Sequence, residues 1–388
     1  MQATAQASHA GVMTPDSPRI LLILSSLCAE GTPVLALDLC RRWIAAGIEP
    51  VVVTLSEEPA DLAEEFARAR VTVHPLIRSN SGYLRYAQMI AATRSLCRRL
   101  RPRAVLSMLF GWHAFLASGA RLGGVRTVAA HVGNYPALQH AGSLSKFRLL
   151  VQAGRPITSK LICCSAYVQH GVVHRFGVRP CETQVIYNGV AVDTIASRAA
   201  AVRSHSERKP SRFVIGMVAR LEIHKDQPTL IRAARLLCDL GHSIECWLVG
   251  EGSRRSEYEK LIAELGLVDS VKLLGMRRDV PELLGHLDAF VFAATPDEGQ
   301  GVALVEAMAA GVPIVATDVG ACREVLDDGE LGTLIPPRDA GALAAALDHL
   351  RREPAAAKDR VVRARRKAVD TFSIDAMAAS YARCLNLV

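Results

Sequence analysis

The chain has 388 residues, half of them hydrophobic and 22% charged, which excludes a disordered chain and allows two or three domains at about 150 residues each. Its net charge of +8 is unevenly placed: residues 1–195 carry +9 and residues 196–388 carry −1. No Asp or Glu lies between Glu65 and Glu182, a window holding 17 Lys and Arg, so the first half points to a polyanion: nucleic acid, a phosphorylated ligand or an anionic membrane.

Residues 1–17 are small and polar and read as a flexible tail. A first domain is expected over 18–195. It opens with a buried-strand run, Ile20–Leu24, and the loop Ser25–Thr32. A helix through Leu35, Leu39 and Trp43 stops at Gly47. Further strands are predicted at Val51–Leu55, Val71–His74, Ala104–Met108, Thr127–His131, Lys160–Cys164 and Gln184–Tyr187. Residues 196–210 are polar, lack apolar periodicity and read as a linker. The alternation restarts over 211–365, with strands at Phe213–Val218, Ile244–Val249, Val271–Leu274, Ala289–Phe292 and Pro313–Ala316, and helices that include Thr229–Leu240 and Val302–Ala310. Apolar strands joined by helices make a parallel sheet covered on both faces. The expected fold class is α/β, with two Rossmann-like doubly wound parallel-sheet domains facing a central cleft, where such folds place their ligands.

The ten cysteines show no CxxC pair and no zinc spacing, which suits a reducing compartment. Adjacent Cys163 and Cys164 lie in an apolar run, as small core residues do. Ile20–Leu27 is short and lacks a basic n-region, so it is not read as a secretion signal. No run approaches the ~20 apolar residues of a membrane span. A cytoplasmic protein, soluble or peripheral on the inner face of the membrane, is expected.

Three constellations in the second half can carry chemistry. In Thr295–Asp318 a loop with Gly299 and Gly301 leads into a helix, offering unpaired N–H groups and a positive dipole end to an anion. Glu298 and Glu306 flank it. A carboxylate accepts two hydroxyl hydrogen bonds, which suits a sugar and a ribose. The same acids equally read as first-turn residues favouring the helix dipole. In Gly216–Asp226, Arg220 and Lys225 stand on a strand-to-helix loop, as cations for a diphosphate or as a solvated pair. Val249–Gly252, with Gly250, lacks the third glycine of a dinucleotide fingerprint and reads as a turn. In the first half, Gly31 can let backbone approach a phosphate. His131 ends a strand, a position that fits either a donor contact or a structural histidine, and His113 is a weaker instance.

Arg220…Lys225, Val249-Gly250-Glu251-Gly252, Leu274-Gly275, Glu298 and Glu306 with seven residues between them and Glu-Ala-Met-Ala-Ala-Gly, and Val319-Gly320…Glu324 follow one order. With Gly31, His131, Ser165 and Asn188-Gly189-Val190 agreeing more loosely, the sequence resembles the family-4 retaining glycosyltransferases of the GT-B fold over residues 19–388. The resemblance implies that Arg220 and Lys225 hold the diphosphate of a UDP- or GDP-sugar, with N–H groups near Gly301, Val302 and Ala303. It implies that Glu298 contacts the transferred sugar, Glu306 the ribose and His131 the sugar near the reacting carbon. Met276 and Arg277 fall where such enzymes contact the base. The tail Phe372–Leu387, within 366–388, resembles the helix that crosses back onto the first domain. Three positions depart from the pattern: Gln300 replaces an aromatic or apolar residue, the first loop has one glycine, and Arg103 replaces an Asp.

The acid-poor window bears on mechanism. An inverting transfer needs a base beside the acceptor, whereas a retaining front-face transfer lets the departing phosphate take the proton. No Asp-x-Asp occurs, so transfer without metal or other cofactor is expected. The acceptor is expected to be a saccharide, lipid-linked or phosphorylated. Leu144, Phe147, Leu150 and Val151 interleaved with Lys146, Arg148 and Arg155 suggest an amphipathic helix on an anionic membrane, or a solvated basic face; the arginines at 94, 98, 99, 101 and 103 add charge. An epimerase of the same fold needs acid–base pairs that this window disfavours. A nucleic-acid binder needs aromatics interleaved with Arg and Lys; aromatics are only 5%, and no nucleic-acid partner is expected.

Overall fold

The computed structural model describes residues 17–29, 31–76, 84–136, 141–205 and 212–388, so the tail expected at 1–17 lies outside it but for Ser17. The chain forms two compact units. The first takes the chain to Asn188 together with Ile374–Val388, and the second runs from Gly189 to Ser373.

In chain order the first unit holds β1 (Arg19–Leu24), α1 (Gly31–Ala45), β2 (Glu49–Thr54), α2 (Ala63–Arg68), β3 (Thr72–Pro75), α3 (Leu84–Leu100), β4 (Ala104–Ser107), α4 (His113–Leu122), β5 (Thr127–Val132), α5 (Ala141–Gly154), β6 (Lys160–Cys163), α6 (Ala166–Phe176) and β7 (Thr183–Val185). The seven strands are parallel, in the order β3-β2-β1-β4-β5-β6-β7. Side-chain alternation along β1 builds two cores. Ile20, Leu22 and Leu24 face one layer with Leu35, Leu39 and Trp43 of α1. Leu21 and Ile23 face the other, with Met89, Leu96, Leu116 and Ala120 of α3 and α4. All carboxyl strand ends share one edge, where ligands of such sheets bind.

The second unit holds α7 (Val192–His205), β8 (Phe213–Val218), α8 (Gln227–Asp239), β9 (Ile244–Val249), α9 (Arg255–Glu264), β10 (Val271–Gly275), α10 (Val280–His286), β11 (Ala289–Phe292), α11 (Val302–Ala310), β12 (Ile314–Thr317), α12 (Gly320–Val325), β13 (Thr333–Ile335), α13 (Ala340–Arg352) and α14 (Lys358–Thr371). Its parallel sheet has the order β10-β9-β8-β11-β12-β13. The chain then returns to the first unit as α15 (Ile374–Cys384). Ile374, Met377, Ala378 and Tyr381 bury one face of α15 in the core that holds Trp43, and Trp43 Nε1 donates to the Ala378 carbonyl at 3.2 Å.

Three expectations differ from this structure. The stretch 196–210 is not a linker through its first ten residues: α7 is a packed helix of the second unit. Its buried residues are Val192, Ile195, Ala196 and Ala199, so among the described residues of 196–205 only two alanines are buried, too small to print an apolar stripe. The partner supplies Gly285, where a Cβ would come within 2.6 Å of the Ala199 carbonyl oxygen, so the two backbones meet closely. Arg198 forks onto Glu282 with two contacts of 2.6 Å. Residues 206–211 lie outside the described residues. The return begins at Ile374 rather than 366, because Ala364 and Ala368 of α14 are buried in the second unit and Lys367 holds the Glu324 carbonyl at 3.1 Å.

The third difference concerns α5. Val151 is buried, and Leu144 and Phe147 pack on the first unit's own core. The Phe147 ring meets Phe110 and Phe176 at centroid distances of 5.1 and 5.2 Å. The apolar stripe read as membrane-facing is therefore the inner face of the helix. Lys146, Arg148 and Leu149 remain outside. Among the described residues, no helix is long and apolar enough to cross a membrane.

Candidate functional site

In the second unit, the loops leaving β8 and β11 are tied together. The Thr295 N–H donates to the His224 carbonyl at 3.0 Å, and Lys225 Nζ pairs with Glu298 Oε2, the two side chains only 16% and 8% exposed. Burial works to raise the Glu298 carboxyl. The Lys225 charge and hydrogen bond, with His224 and the Gly299 N–H, overcome it and hold the group below the usual carboxylate range. Glu298 is thus a fixed acceptor, charged at neutral pH. Lys225 Nζ also stands 5.4 Å from the Phe292 ring centroid, a further hold on the cation.

Gly301 caps α11 with φ +78°. A Cβ there would meet the Phe292 ring at 2.9 Å, so only glycine fits the turn that presents the first N–H groups of the helix. Val302, Ala303 and Glu306 are half-buried along its first turns, as the spacing implied, while Gln300 is buried.

The glycines of Val249–Gly252 serve a different purpose from a phosphate loop. Gly250, at φ +137°, and Gly252 lie flat against the backbone of Ala219 and Leu221, leaving no room for a Cβ. The Ala219 N–H donates to the Val249 carbonyl at 3.0 Å and the Leu221 N–H to the Glu251 carbonyl at 2.9 Å. This clasp fixes the segment that projects Arg220, whose own carbonyl accepts from Gln227 Nε2 at 2.7 Å. Arg220 itself is exposed. At the end of β10, Met276 and Arg277 are exposed, and Arg277 is already engaged by the Asp279 carboxylate at 2.7 Å.

In the first unit, His131 is the last residue but one of β5 and is only 4% exposed. Its Nδ1 lies 2.8 Å from Tyr381 Oη on α15. Burial pushes the imidazole down to about 4, so it is neutral at pH 7. Among the described residues this nitrogen is the one hydrogen-bond partner of the Tyr381 hydroxyl. A buried O–H donates, so Nδ1 accepts and Nε2 carries the hydrogen. Gly133 borders Nε2: a Cβ there would sit 3.0 Å away. Gly31 opens α1 with nothing within 4 Å of a Cβ position, so packing does not demand glycine there. Ser165 caps α6, accepting from the Val168 N–H at 3.1 Å. His113 is buried, its Nε2 2.8 Å from Thr158 Oγ1, a structural histidine.

The sequence pattern missed the Lys225–Glu298 pairing and Tyr381. The former joins residues 73 apart and the latter residues 250 apart, and local spacing shows neither. Among the described residues no group of three or more His, Cys, Asp or Glu is placed to hold a metal ion.

Residues 29–194 match the family model described as Glycosyltransferase Family 4, and residues 200–367 that of Glycosyl transferases group 1. The chain is 32% identical over 206 residues to the phosphatidyl-myo-inositol mannosyltransferase of Mycobacterium leprae, covering 52% of this chain and 53% of that protein. It is 29% identical to the amylovoran biosynthesis glycosyltransferase AmsK of Erwinia amylovora, covering 72% of this chain and 64% of that one. The chain thus spans between about half and two thirds of these relatives. Among solved structures, Anabaena HepE in complex with UDP and glucose superposes with a TM-score of 0.82 over 96% of this chain and 100% of HepE, at 21% identity, a likeness of fold.

Proposed function

Because the chain belongs to the group 1, family 4 glycosyltransferases of the GT-B fold, we propose that it moves a sugar from a UDP- or GDP-sugar to a saccharide, lipid-linked or phosphorylated acceptor, with retention and without a metal, in cell-surface polysaccharide or glycolipid synthesis. The observation that carries this reading is the buried Lys225–Glu298 pair beside the glycine-capped start of α11. It sets a fixed cation, a fixed carboxylate and free helix N–H groups side by side.

Leaving of a nucleoside diphosphate needs its developing charge stabilised by groups already in place. Lys225 has three N–H donors, and its bond to Glu298 leaves others for a phosphate oxygen. Arg220 adds a bidentate donor, and the N–H groups of Gly301, Val302 and Ala303 complete the cradle. Glu298, ionised, accepts from hydroxyls of the transferred sugar, Glu306 accepts from the ribose, and Met276 and Arg277 border the base. His131 donates from Nε2 to a sugar hydroxyl. The acceptor's proton passes to the departing phosphate oxygen as that oxygen leaves the anomeric carbon. A cytoplasmic location, with the outer face of α5 meeting anionic headgroups through Lys146 and Arg148, is part of the same proposal.

The test is to incubate the protein with a panel of UDP- and GDP-sugars and follow nucleotide release, then read the anomeric configuration of the product by NMR. Release from one donor, a retained configuration and full rate in EDTA are expected. Inversion, or activity lost in EDTA and restored by Mg²⁺, overturns the mechanism.

A further inference from the structure

Aromatic residues are scarce in this chain, at 5%, yet four ring contacts gather on the carboxyl edge of the first sheet. After β4 the chain turns through Phe110–Trp112 into α4, and α3 starts on the same edge after β3. The two helices touch through Gly119, where a Cβ would come within 2.6 Å of the Ile90 carbonyl oxygen, and this draws their first turns together. Tyr86 lies between Trp112 and Phe115, at ring-centroid distances of 5.7 and 4.5 Å. The Arg85 guanidinium stands 4.8 Å from the Trp112 centroid and 5.0 Å from that of Tyr86.

These residues are all partly exposed, although Trp112 and Phe115 also pack against the core beneath α3 and α4. Arg85 gives one hydrogen bond, from a terminal nitrogen to Tyr86 Oη at 3.1 Å; its Nε is buried and unpartnered among the described residues, so the donors left for a ligand are its terminal N–H groups. No carboxylate pairs with it there, in keeping with a window free of acids from Phe66 to Cys181. A cation held on aromatic faces, with donors to spare and no acid nearby, is built to receive an anion from outside. The rings offer an apolar face of the kind that covers the C–H side of a pyranose.

The geometry points to a saccharide acceptor subsite in this cluster: a sugar ring laid on Trp112 and Tyr86, with its own acidic group, phosphate or carboxylate, on Arg85. The inference rests on the transferase reading and narrows its acceptor to an anionic saccharide. Trp112, Tyr86 and Arg85 act in acceptor binding, and donor binding stays with the second unit.

The experiment is calorimetric titration of the full chain with glucose 1-phosphate, glucuronic acid, methyl α-glucoside and an oligothymidylate, with and without UDP or GDP. Binding of glucose 1-phosphate or glucuronic acid, whichever source of charge is preferred, should weaken at least tenfold in Arg85→Gln and in Trp112→Ala. It should stay within threefold in Trp112→Phe, which keeps a ring and shows that the unit is folded. Nucleotide affinity should be unchanged in all three. The inference is overturned if both charged sugars bind the variants within threefold of the parent, if the uncharged glucoside binds as tightly, or if the oligothymidylate binds more tightly through the same residues. If neither UDP nor GDP binds, the transferase reading is what fails, while the sugar titrations still report on Arg85 and Trp112.

Discussion

The phenol of Tyr381 donates to His131 Nδ1 across 2.8 Å, joining residues 250 apart. Tyr381→Phe leaves that nitrogen buried and unpaired at a cost of about 1–3 kcal/mol. It also frees the ring to take the opposite tautomer, with Nε2 an acceptor. Urea unfolding should register the loss of stability, and ¹⁵N shifts of His131 should show the tautomer change. Transfer should slow without a comparable change in nucleotide affinity. An unaltered imidazole spectrum in the variant would rule this role out.

Lys225 and Glu298 fail differently. Lys225→Met strands a buried carboxylate, so a loss of about 3–5 kcal/mol is expected, and the Glu298 carboxyl should rise above its usual range for want of its countercharge. Glu298→Gln keeps the shape and a hydrogen-bonding oxygen and should cost less. Both should lower turnover by about 10²–10³-fold, the scale of losing one preorganised group. Thermal unfolding of the two variants side by side checks the order, and equal stabilities would contradict it.

Three glycines separate packing from ligand approach. Gly250→Ala and Gly301→Ala place a Cβ against the Ala219 backbone and the Phe292 ring, at φ +137° and +78°. Each should destabilise by about 1–3 kcal/mol, and Gly250→Ala should also weaken nucleotide binding by moving Arg220. Gly31→Ala has open space, so stability should stay within about 0.5 kcal/mol of the parent. Any loss of activity in that variant then reports a ligand and not the fold. Denaturation midpoints of the three variants supply the comparison.

Acid should unfold the first unit through its histidines. Burial pushes both His113 and His131 down to about 4, against ~6.5 when exposed. Between those values the unfolded chain binds more protons than the folded one, so stability is full above about pH 6.5 and falls as pH drops toward 4. At about 1.4 kcal/mol per pH unit, each histidine accounts for about 3 kcal/mol. Urea midpoints from pH 7.5 to 4.5 should therefore decline, less steeply in His113→Leu. Parallel curves for the two proteins would show that His113 does not contribute.

The strands were legible because a sheet covered on both faces prints continuous apolar runs: Ile20–Leu24 and Ile244–Val249 stand within a residue of their elements. β13 escaped, being three residues at a sheet edge. Failure came where burial needs no large side chain, as in α7, whose alanines pack on Gly285. It came again where one amphipathic pattern served two surfaces, as in α5, since periodicity shows that a face is buried but not against what. The donor loops were legible as glycine, cation and acid in order. That the cation and the acid hold each other, and that Gly250 and Gly252 clasp a neighbouring loop, are facts of tertiary structure with no local signal.

The first unit is closed by α15. Ile374, Met377, Tyr381, Leu385 and Leu387 belong to the same core as Trp43 and β1, while the whole second unit lies between them in sequence. On the ribosome, domains fold as units from the amino terminus, and here that order is inverted. The second unit has all its residues before the first has its final wall, and His131 waits for Tyr381 until the whole second unit has been made. A nascent chain stalled before Ile374 therefore leaves the apolar face of α1 uncovered and His131 without its Tyr381 partner, a state open to chaperones and proteases.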